Sequence, residues 1–290
     1  MAVRSGGHSV AGQSSNDDGL VIDVRPMKLL EIDPTARWAR VGAGCTWADF
    51  DAAAQAHGLA TTGGRVSTTG VVGLTLGGGS GWLERKYGLA CDNLLAVELT
   101  TADGREIRAD AMQNQDLLWA CKGGGGNFGV VTALEFMLHP VGPTILGGLV
   151  AWPAASAPEI ARAYRDWADS APEKLGSGLV VLSGPPEDFV PAHLQNEPIV
   201  AIVLAWTGDN DTGADFVQVM RDLKPASTRS ARCLIRKFSR CSTTRQGCDS
   251  IGAPTTTIHS PMTLWMSSSP PARGGPHQSP STSCCRGVGP

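Results

Sequence analysis

The chain has 290 residues, a formal net charge of −3 and 42% hydrophobic residues, which is enough for roughly two domains with apolar cores. It contains no run of about 18 apolar residues, so the sequence predicts no membrane-spanning helix. Its first residues lack the basic, apolar and small-residue order of a signal peptide, so we expect a cytoplasmic protein without a membrane partner.

The first elements in chain order are short strands around one capped helix. Residues 20–24 predict an apolar strand, and residues 28–33 and 38–44 predict a hairpin on either side of a Pro-Thr-Ala turn. Apolar residues then recur at helical spacing between Thr46, a good N-cap residue, and Gly58, which ends the pattern. We therefore expect a helix between these two positions.

A glycine-rich segment and three further elements complete the first part of the chain. Residues 61–81 are rich in glycine, a composition that does not pack a core and instead lets backbone approach a ligand closely. The elements that follow are a hairpin over 93–110, a helix over 114–122 and a strand over 130–140.

The order of predicted strands and helices changes near Pro143. From there the sequence predicts a strand, a helix, two strands and a second helix, which end near residue 225. We therefore expect an α+β fold with one domain at 1–142 and a second, antiparallel-sheet domain at 143–225.

The residues from Ala226 onward have a different composition. They carry eight Lys or Arg residues and one acid, Asp249, and they hold five of the eight cysteines. The basic residues are scattered, which argues against a nucleic-acid partner. The cysteines lack the short C-x₂₋₄-C spacing of zinc sites, so we expect no metal. The pattern predicts an irregular tail at 226–290, either frame-shifted or disordered.

One glycine motif resembles a nucleotide-binding fingerprint, but the predicted elements on either side of it are in the wrong order. Gly124, Gly126 and Gly129 match G-x-G-x-x-G, but a predicted helix precedes them and a strand follows, the reverse of a dinucleotide fold. No glycine run is followed by G-K-[ST], so a P-loop is excluded. The several glycine segments still favour a long, phosphate-bearing ligand on exposed backbone amides. A set of ordinary tight turns is the alternative.

Three blocks of sequence resemble a known family. The blocks are VRSGGHS at 3–9, GGGSGWLERKYGLACDNLLAVELTTADG at 77–104, and DLLWACKGGGGNFGVVTALEF at 116–136. They are similar in order and spacing to the FAD-binding domain of the berberine-bridge-enzyme-like flavoproteins. These belong to the vanillyl-alcohol-oxidase superfamily, whose FAD-binding domain is of the PCMH type. Residues 143–225 are compatible with the start of the family's substrate domain.

The resemblance implies a flavin tether. In the family, the histidine of the R-x-G-G-H motif bonds to the 8α-methyl carbon of FAD, and here that residue is His8. The loop around it would hold the pyrophosphate, and its members are Arg4, Ser5, Gly6, Gly7 and Ser9. Other positions implied near the cofactor are Gly63, Gly64, Ser67, Thr68, Thr69, Gly70, Gly73, Asp92, Asn93, Val130 and Val131.

The resemblance also implies a single tether. Some members have a second bond from a cysteine to the flavin, and the corresponding position here is Val66, which has no thiol. We interpret Cys91 as a buried packing thiol. FAD is therefore expected to be covalent through His8 only. Thr69 lies where the family often has an aliphatic residue that controls oxygen access, so oxidase and dehydrogenase activity both stay open.

The implied function is FAD-dependent oxidation. A hydride would leave a C–H bond next to oxygen or nitrogen of a small organic substrate, and O₂ would reoxidise the flavin. No catalytic residue is assigned, and Glu84 and Tyr87 are interpreted as surface or packing residues. We expect the N-terminal part of the domain to be missing and the C-terminus to be aberrant. Two alternatives stay open: a non-catalytic, truncated flavin-binding remnant and a non-covalent FAD dehydrogenase.

Overall fold

Two antiparallel sheets and their helices are the main elements of the computed structural model, which describes residues 1–186 and 190–234. The fold is α+β, as predicted. The strands of the first region are β1 (Ala2–Arg4), β2 (Val21–Asp23), β3 (Leu30–Asp33), β4 (Trp38–Gly42), β5 (Leu59–Ala60), β6 (Leu94–Thr100), β7 (Glu106–Asp110), β8 (Val130–Met137) and β9 (His139–Pro140). Its helices are α1 (Trp47–Gln55), α2 (Val71–Leu76), α3 (Glu84–Tyr87) and α4 (Gln115–Cys121).

The first sheet has five antiparallel strands in the order β3-β4-β8-β6-β7. Both hairpins expected from the sequence are present, β3 with β4 and β6 with β7. Two small pairs lie beside this sheet: β1 runs parallel to β2, and β5 runs antiparallel to β9. These pairs connect the N-terminal loop and the chain after β8 to the rest of the region.

Helix α1 supplies the centre of the first core. Thr46 caps it as predicted, because its side chain accepts from the Asp49 N–H while the Asp49 carboxylate accepts from the Thr46 N–H. Trp47, Phe50 and Phe136 meet edge to face, with ring centroids 5.3 to 6.2 Å apart. These aromatic contacts fix α1 against β8 of the sheet.

The second sheet has the strand order β11-β12-β10-β13, and α5 and α6 cover one of its faces. Its elements are β10 (Thr144–Pro153), α5 (Ala157–Asp169), β11 (Leu175–Ser183), β12 (Pro198–Trp206), α6 (Asn210–Arg221) and β13 (Ser227–Leu234). Trp167, Trp206 and Phe216 pack between the helices and the sheet. No helix in the described residues is long and apolar enough to cross a membrane.

Two sequence expectations need correction. The irregular tail was expected from Ala226, but Ser227–Leu234 pairs along β10 as strand β13. Strand β13 pairs through its backbone N–H and C=O groups with the edge of β10 that β12 leaves open. Backbone pairing does not require alternating apolar residues, so the sequence of β13 shows no strand pattern. The glycine-rich segment 61–81 also contains a helix, α2. The remainder of the predicted tail, from residue 235, lies outside the described residues, and the boundary at 142 stays a prediction.

Charged side chains cross the first sheet on one face. Arg108 on β7 contacts both oxygens of Glu135 on β8, at 2.6 and 2.8 Å, and Glu135 also accepts from the Trp38 indole. Arg40 binds Glu98 in the same network at 2.7 Å. The Arg108 hydrogen bonds lower the pKa of Glu135 although burial opposes them. The network therefore lets a carboxylate that is only 10% exposed stay ionised.

We expect Arg108→Met to lower the free energy of unfolding by about 1–3 kcal/mol, because the nearly buried Glu135 carboxylate loses two charged hydrogen bonds. Urea denaturation at neutral pH measures the change. Arg105→Met is the matched control, since Arg105 pairs with Asp103 on an exposed turn and is 71% exposed. Equal losses in both variants would show that the Arg108 network adds nothing beyond a surface pair.

Candidate functional site

Two loops far apart in sequence meet at their glycines. We call them the His8 loop, Arg4–Ser9, and the Thr68 loop, Ser67–Gly70. A Cβ on Gly6 would lie 2.1 Å from the Gly70 nitrogen, and a Cβ on Gly70 would lie 2.5 Å from the Gly6 nitrogen. Neither position has room for a side chain, so the glycines let the two backbones touch.

The His8 ring lies between two hydroxyl groups of the Thr68 loop. Its Nε2 is 3.0 Å from Thr68 Oγ1, and its Nδ1 is 3.5 Å from Thr69 Oγ1. His8 is exposed, so the ring is held from one side and accessible from the other. A hydroxyl can donate or accept, so it suits a ring nitrogen whether or not that nitrogen carries a proton.

Both loops are anchored to the first core. The Ser5 hydroxyl donates to the Ala43 carbonyl at 2.6 Å. The carbonyls of Ser67 and Thr69 accept from the first N–H groups of α1, on Ala48 and Trp47, at 2.8 and 3.0 Å. These bonds satisfy amides that a helix N-terminus leaves without a partner. The position of His8 is therefore set by α1 and the sheet.

The surface next to His8 fits a phosphate-bearing cofactor. Gly7 is exposed with φ +72°, a conformation that favours glycine, and a Cβ there would lie 3.6 Å from Nε of the Arg4 guanidinium. Gly73, in the first turn of α2, is exposed, and a Cβ there would have no atom within 4 Å. Open backbone beside a cation is the arrangement that pyrophosphate needs. Ser9 accepts from the Gln13 N–H within its own loop.

Gly63 and Gly64 lie against the Trp47 indole. A Cβ at Gly63 would be 2.5 Å from the Trp47 ring, and one at Gly64 would be 2.9 Å from Leu74 and 3.1 Å from Trp47. These glycines are thus required by packing as well as by any ligand. The segment that carries them continues directly into the Thr68 loop.

Both the amide nitrogen and the oxygen of the Asn93 side chain form hydrogen bonds within the protein. Its amide donates to the carbonyls of Tyr87 and Leu89 at 2.9 Å each, and its Oδ1 accepts from His139 Nε2 at 2.6 Å. The His139 ring stacks on Tyr87 with centroids 4.0 Å apart. These hydrogen bonds fix Asn93 between the end of α3 and β9, and its contact with the cofactor stays a prediction. Its neighbour Asp92 is exposed and accepts from the Leu89 N–H.

Val130 and Val131 begin β8 and pack with the first core. Val131 is 5% exposed and packs in the core, and Val130 packs beside it. The next residue of the same strand is Thr132. Its carbonyl accepts from the Ala43 N–H at 2.9 Å, and this contact supports the site. Because the Ala43 carbonyl accepts from Ser5, β8 and the His8 loop share Ala43 as their common neighbour.

Sequence reasoning missed a second polar cluster beside the glycine-rich segment. Arg65 donates to Ser80 and Glu84 at 2.9 and 3.1 Å and lies 5.1 Å from the centre of the Trp82 ring. Glu84 is therefore an ion-pair partner inside the fold, while Tyr87 packs as expected. Cys91 is buried, also as expected. The sequence signal for this cluster is Arg65, which interrupts the glycine-rich segment 61–81 with a long charged side chain.

Comparisons with known proteins agree with this geometry. Residues 1–110 match the family model described as FAD binding domain. The chain is 40% identical over 223 residues to the (R)-6-hydroxynicotine oxidase of Paenarthrobacter nicotinovorans, covering 77% of this chain and 47% of that protein. The chain thus spans about half the length of this relative.

Solved structures give the same result for the fold. The 6-hydroxy-D-nicotine oxidase of Arthrobacter nicotinovorans superposes with a TM-score of 0.75 at 30% identity, over 83% of this chain and 52% of that one. The BBE-like 1 protein of Physcomitrella patens has the same fold, with a TM-score of 0.72 at 24% identity, over 83% and 51% of the two chains.

The chain therefore carries an FAD-binding domain followed by an antiparallel sheet. Its likeness in sequence to an FAD-linked oxidase and in fold to a BBE-like protein supports the resemblance to the berberine-bridge-enzyme-like flavoproteins. The resemblance seen in the three sequence blocks is confirmed.

We expect the stability of the protein to depend on pH through His139. Burial, with the charges of Lys86 and Arg37, lowers the pKa of His139 below its usual 6.5. Such a group contributes stability that is complete above the unfolded pKa and is lost as pH falls through the folded pKa. The thermal midpoint should therefore fall between about pH 7.5 and about pH 5 more steeply in wild type than in His139→Gln, which keeps a donor for Asn93. Parallel curves would contradict this role.

Proposed function

We propose that this chain is the FAD-binding part of an FAD-dependent oxidoreductase, with the cofactor covalently attached through His8 alone. The observation that carries the proposal is the exposed His8 ring, held by two threonine hydroxyls on a glycine-lined surface. This surface lies within the residues that match the FAD binding domain. Val66 offers no thiol for a second tether.

The cofactor-holding residues act through three kinds of contact. The backbone of Gly6, Gly7, Gly70 and Gly73 gives room for the pyrophosphate, and the Arg4 cation offsets its charge. Thr68 and Thr69 orient the His8 ring, which fixes where the flavin edge attaches. The remaining predicted contacts are Ser5, Ser9, Gly63, Gly64, Ser67, Asp92, Val130 and Val131, with Asn93 acting through the fold rather than by contact.

The chemistry follows from the cofactor that this surface fits. When bound, FAD accepts a hydride from a C–H bond next to oxygen or nitrogen of a small organic substrate. The chain orients the flavin, excludes alternative positions of its ring and keeps the tethering imidazole in place. O₂ is the proposed final electron acceptor. No catalytic base is assigned within the described residues.

Two alternatives make different predictions for the purified full chain. A non-covalent FAD dehydrogenase would bind FAD and release it on denaturation. A non-catalytic remnant would either bind no flavin or bind flavin that no donor bleaches. A yellow protein whose flavin is bleached by an organic donor under anaerobic conditions supports the proposed enzyme.

His8→Ala should abolish covalent flavin. Wild type is expected to show flavin fluorescence in the protein band after denaturing electrophoresis, because the bond survives denaturation. His57→Ala is the matched control, since His57 is exposed at the end of α1 and outside both loops. A fluorescent His8→Ala band would refute the tether, and a dark wild-type band with free FAD in the supernatant would favour the non-covalent alternative.

Thr68→Val should slow flavin attachment about fivefold, because losing one hydrogen bond of about 1 kcal/mol leaves the His8 ring less oriented. The bonded flavin fraction is measured over time after FAD is added to apoprotein. Thr68→Ser keeps the hydroxyl and should attach flavin at the wild-type rate. If serine and valine behave alike, the hydroxyl has no part in orienting the ring.

A further inference from the structure

Strand β11 is an edge strand of the second sheet. It pairs along its whole length with β12, and among the described residues its other edge pairs with no strand. At one end of this pairing, the Thr207 N–H donates to the Lys174 carbonyl at 3.0 Å. At the other end, the Gly184 N–H donates to the Glu197 carbonyl at 2.8 Å. Because bonding alternates along an antiparallel pair, the even-numbered residues of β11 exchange hydrogen bonds with β12.

The backbone groups that face the open edge therefore belong to odd-numbered residues. Leu175 is the exception, because its N–H donates back to the Pro172 carbonyl at 3.0 Å. The other four are Ser177, Leu179, Val181 and Ser183. Within the described part of the chain, their N–H and C=O groups have no backbone partner. Such an open row is what a further strand pairs with.

The β11 edge lacks the features that protect the edges of the first sheet. There, β3 has the sequence LEID and β7 has the sequence EIRAD, so both edge strands are short and charged. The sequence of β11 is LGSGLVVLS, nine residues without a charge or a proline, and its pairing with β12 has no bulge. Val181 on this strand is 68% exposed. Charges, prolines and bulges are what prevent edge pairing, so β11 is open to it.

The strand is complementary to a second copy of itself. When two β11 strands run antiparallel with Val180 facing Val180 at a two-fold axis, all four open residues of each copy are paired. In this register Leu179 lies opposite Val181 of the second copy, and Ser177 lies opposite Ser183. Apolar side chains meet at the centre and serines meet at the ends, and no like charges are opposed. A shift by two residues leaves one serine of each copy without a partner.

The other face of the strand fits the same register. Leu182 of one copy lies opposite Gly178 of the other, and a Cβ at Gly178 would have no atom within 4 Å. The missing side chain therefore leaves room for the leucine. Large side chains opposite small ones are the arrangement that lets facing layers interdigitate.

We propose that β11 is the surface through which two copies of this chain form a symmetric dimer, joining their second sheets edge to edge. The partner is a second copy because the register that pairs every open backbone group also matches the side chains of the strand to themselves. One strand pair buries less area than a standard interface, so the dimer is expected to dissociate in the micromolar range. It requires no flavin, so the dimer and the proposed function are tested separately.

Sedimentation velocity of the full chain from about 1 to about 100 μM measures the monomer–dimer equilibrium. Val181→Lys should weaken the dimer at least about tenfold, because a charge replaces an apolar contact in both copies. Val219→Lys is the matched control, since Val219 is a 52% exposed valine on α6, outside β11, and its variant should dimerise like wild type. Thermal unfolding verifies that both variants fold.

Val180→Cys tests the register. The two facing positions at the axis form a non-hydrogen-bonded pair with Cα atoms about 4.5 Å apart, which a disulfide can span. Val181→Cys is the control, because its two copies lie about 8 Å apart in this register, beyond disulfide reach, although Val181 is the more exposed residue. Oxidation with diamide should give a covalent dimer with Val180→Cys and much less with Val181→Cys. Wild type is oxidised in parallel because the chain has eight cysteines, and mass spectrometry of the linked peptide identifies the bond.

Three results would overturn the proposal: a wild type that is monomeric throughout this range, equal weakening by Val181→Lys and Val219→Lys, or as much disulfide with Val181→Cys as with Val180→Cys. A monomer would leave the β11 edge for a strand of another polypeptide. The flavin content of the same samples separates this from the proposed function. A β11-dependent dimer without flavin supports the interface and refutes the proposed function, and a covalent flavin in a monomer does the reverse.

Discussion

The backbone contact between Gly6 and Gly70 is the constraint on which the site depends. Because neither residue has a Cβ, two loops whose residues His8 and Thr68 are 60 positions apart in sequence lie against each other. This contact brings His8 within 3.0 Å of Thr68 Oγ1. The same Thr68 loop supplies carbonyls to the first turn of α1, so the site geometry and the stability of the core are linked. A shift in either loop would therefore change both the geometry of the site and the stability of the core.

The segment from Trp82 to Asn93 links the site to the second sheet. Arg85 donates to the carbonyls of Ala168 and Ala171 at the end of α5, both at 2.8 Å. At the other end of the segment, Asn93 donates to the carbonyls of Tyr87 and Leu89 and accepts from His139 on β9. Polar contacts at both ends and apolar packing between them hold the two sheets in one arrangement. The His8 loop region and the second sheet are therefore linked through this one segment.

Local patterns in the sequence were sufficient for much of the fold. The hairpins and the helix after Thr46 follow from alternation and capping, which depend on neighbouring residues. Helix α2 was missed because Gly73 lies inside it and Gly70 and Gly77 flank it, which hides a helical pattern. Strand β13 was missed because its pairing along β10 satisfies backbone groups without an apolar alternation. Both depend on tertiary partners.

The site was predictable in part. The resemblance predicted His8 and its loop as cofactor-binding, and the structure brings this loop against the Thr68 loop through the glycines of both. The contacts of Asn93 and Tyr87 with His139 join positions distant in sequence, so no spacing rule predicts them. The Arg65 and Glu84 pair is hidden for the same reason. Polar contacts between residues distant in sequence are therefore the part of this site that local sequence patterns cannot predict.

Two glycines on β11 differ in whether they can accept a side chain. Gly176 touches the Trp82 carbonyl, so a side chain there would displace the backbone that leads into α3. Two residues later, a Cβ at Gly178 would have no atom within 4 Å, and side chains of several sizes are compatible with the same backbone. On one strand, therefore, one glycine is required by the fold and the other is replaceable.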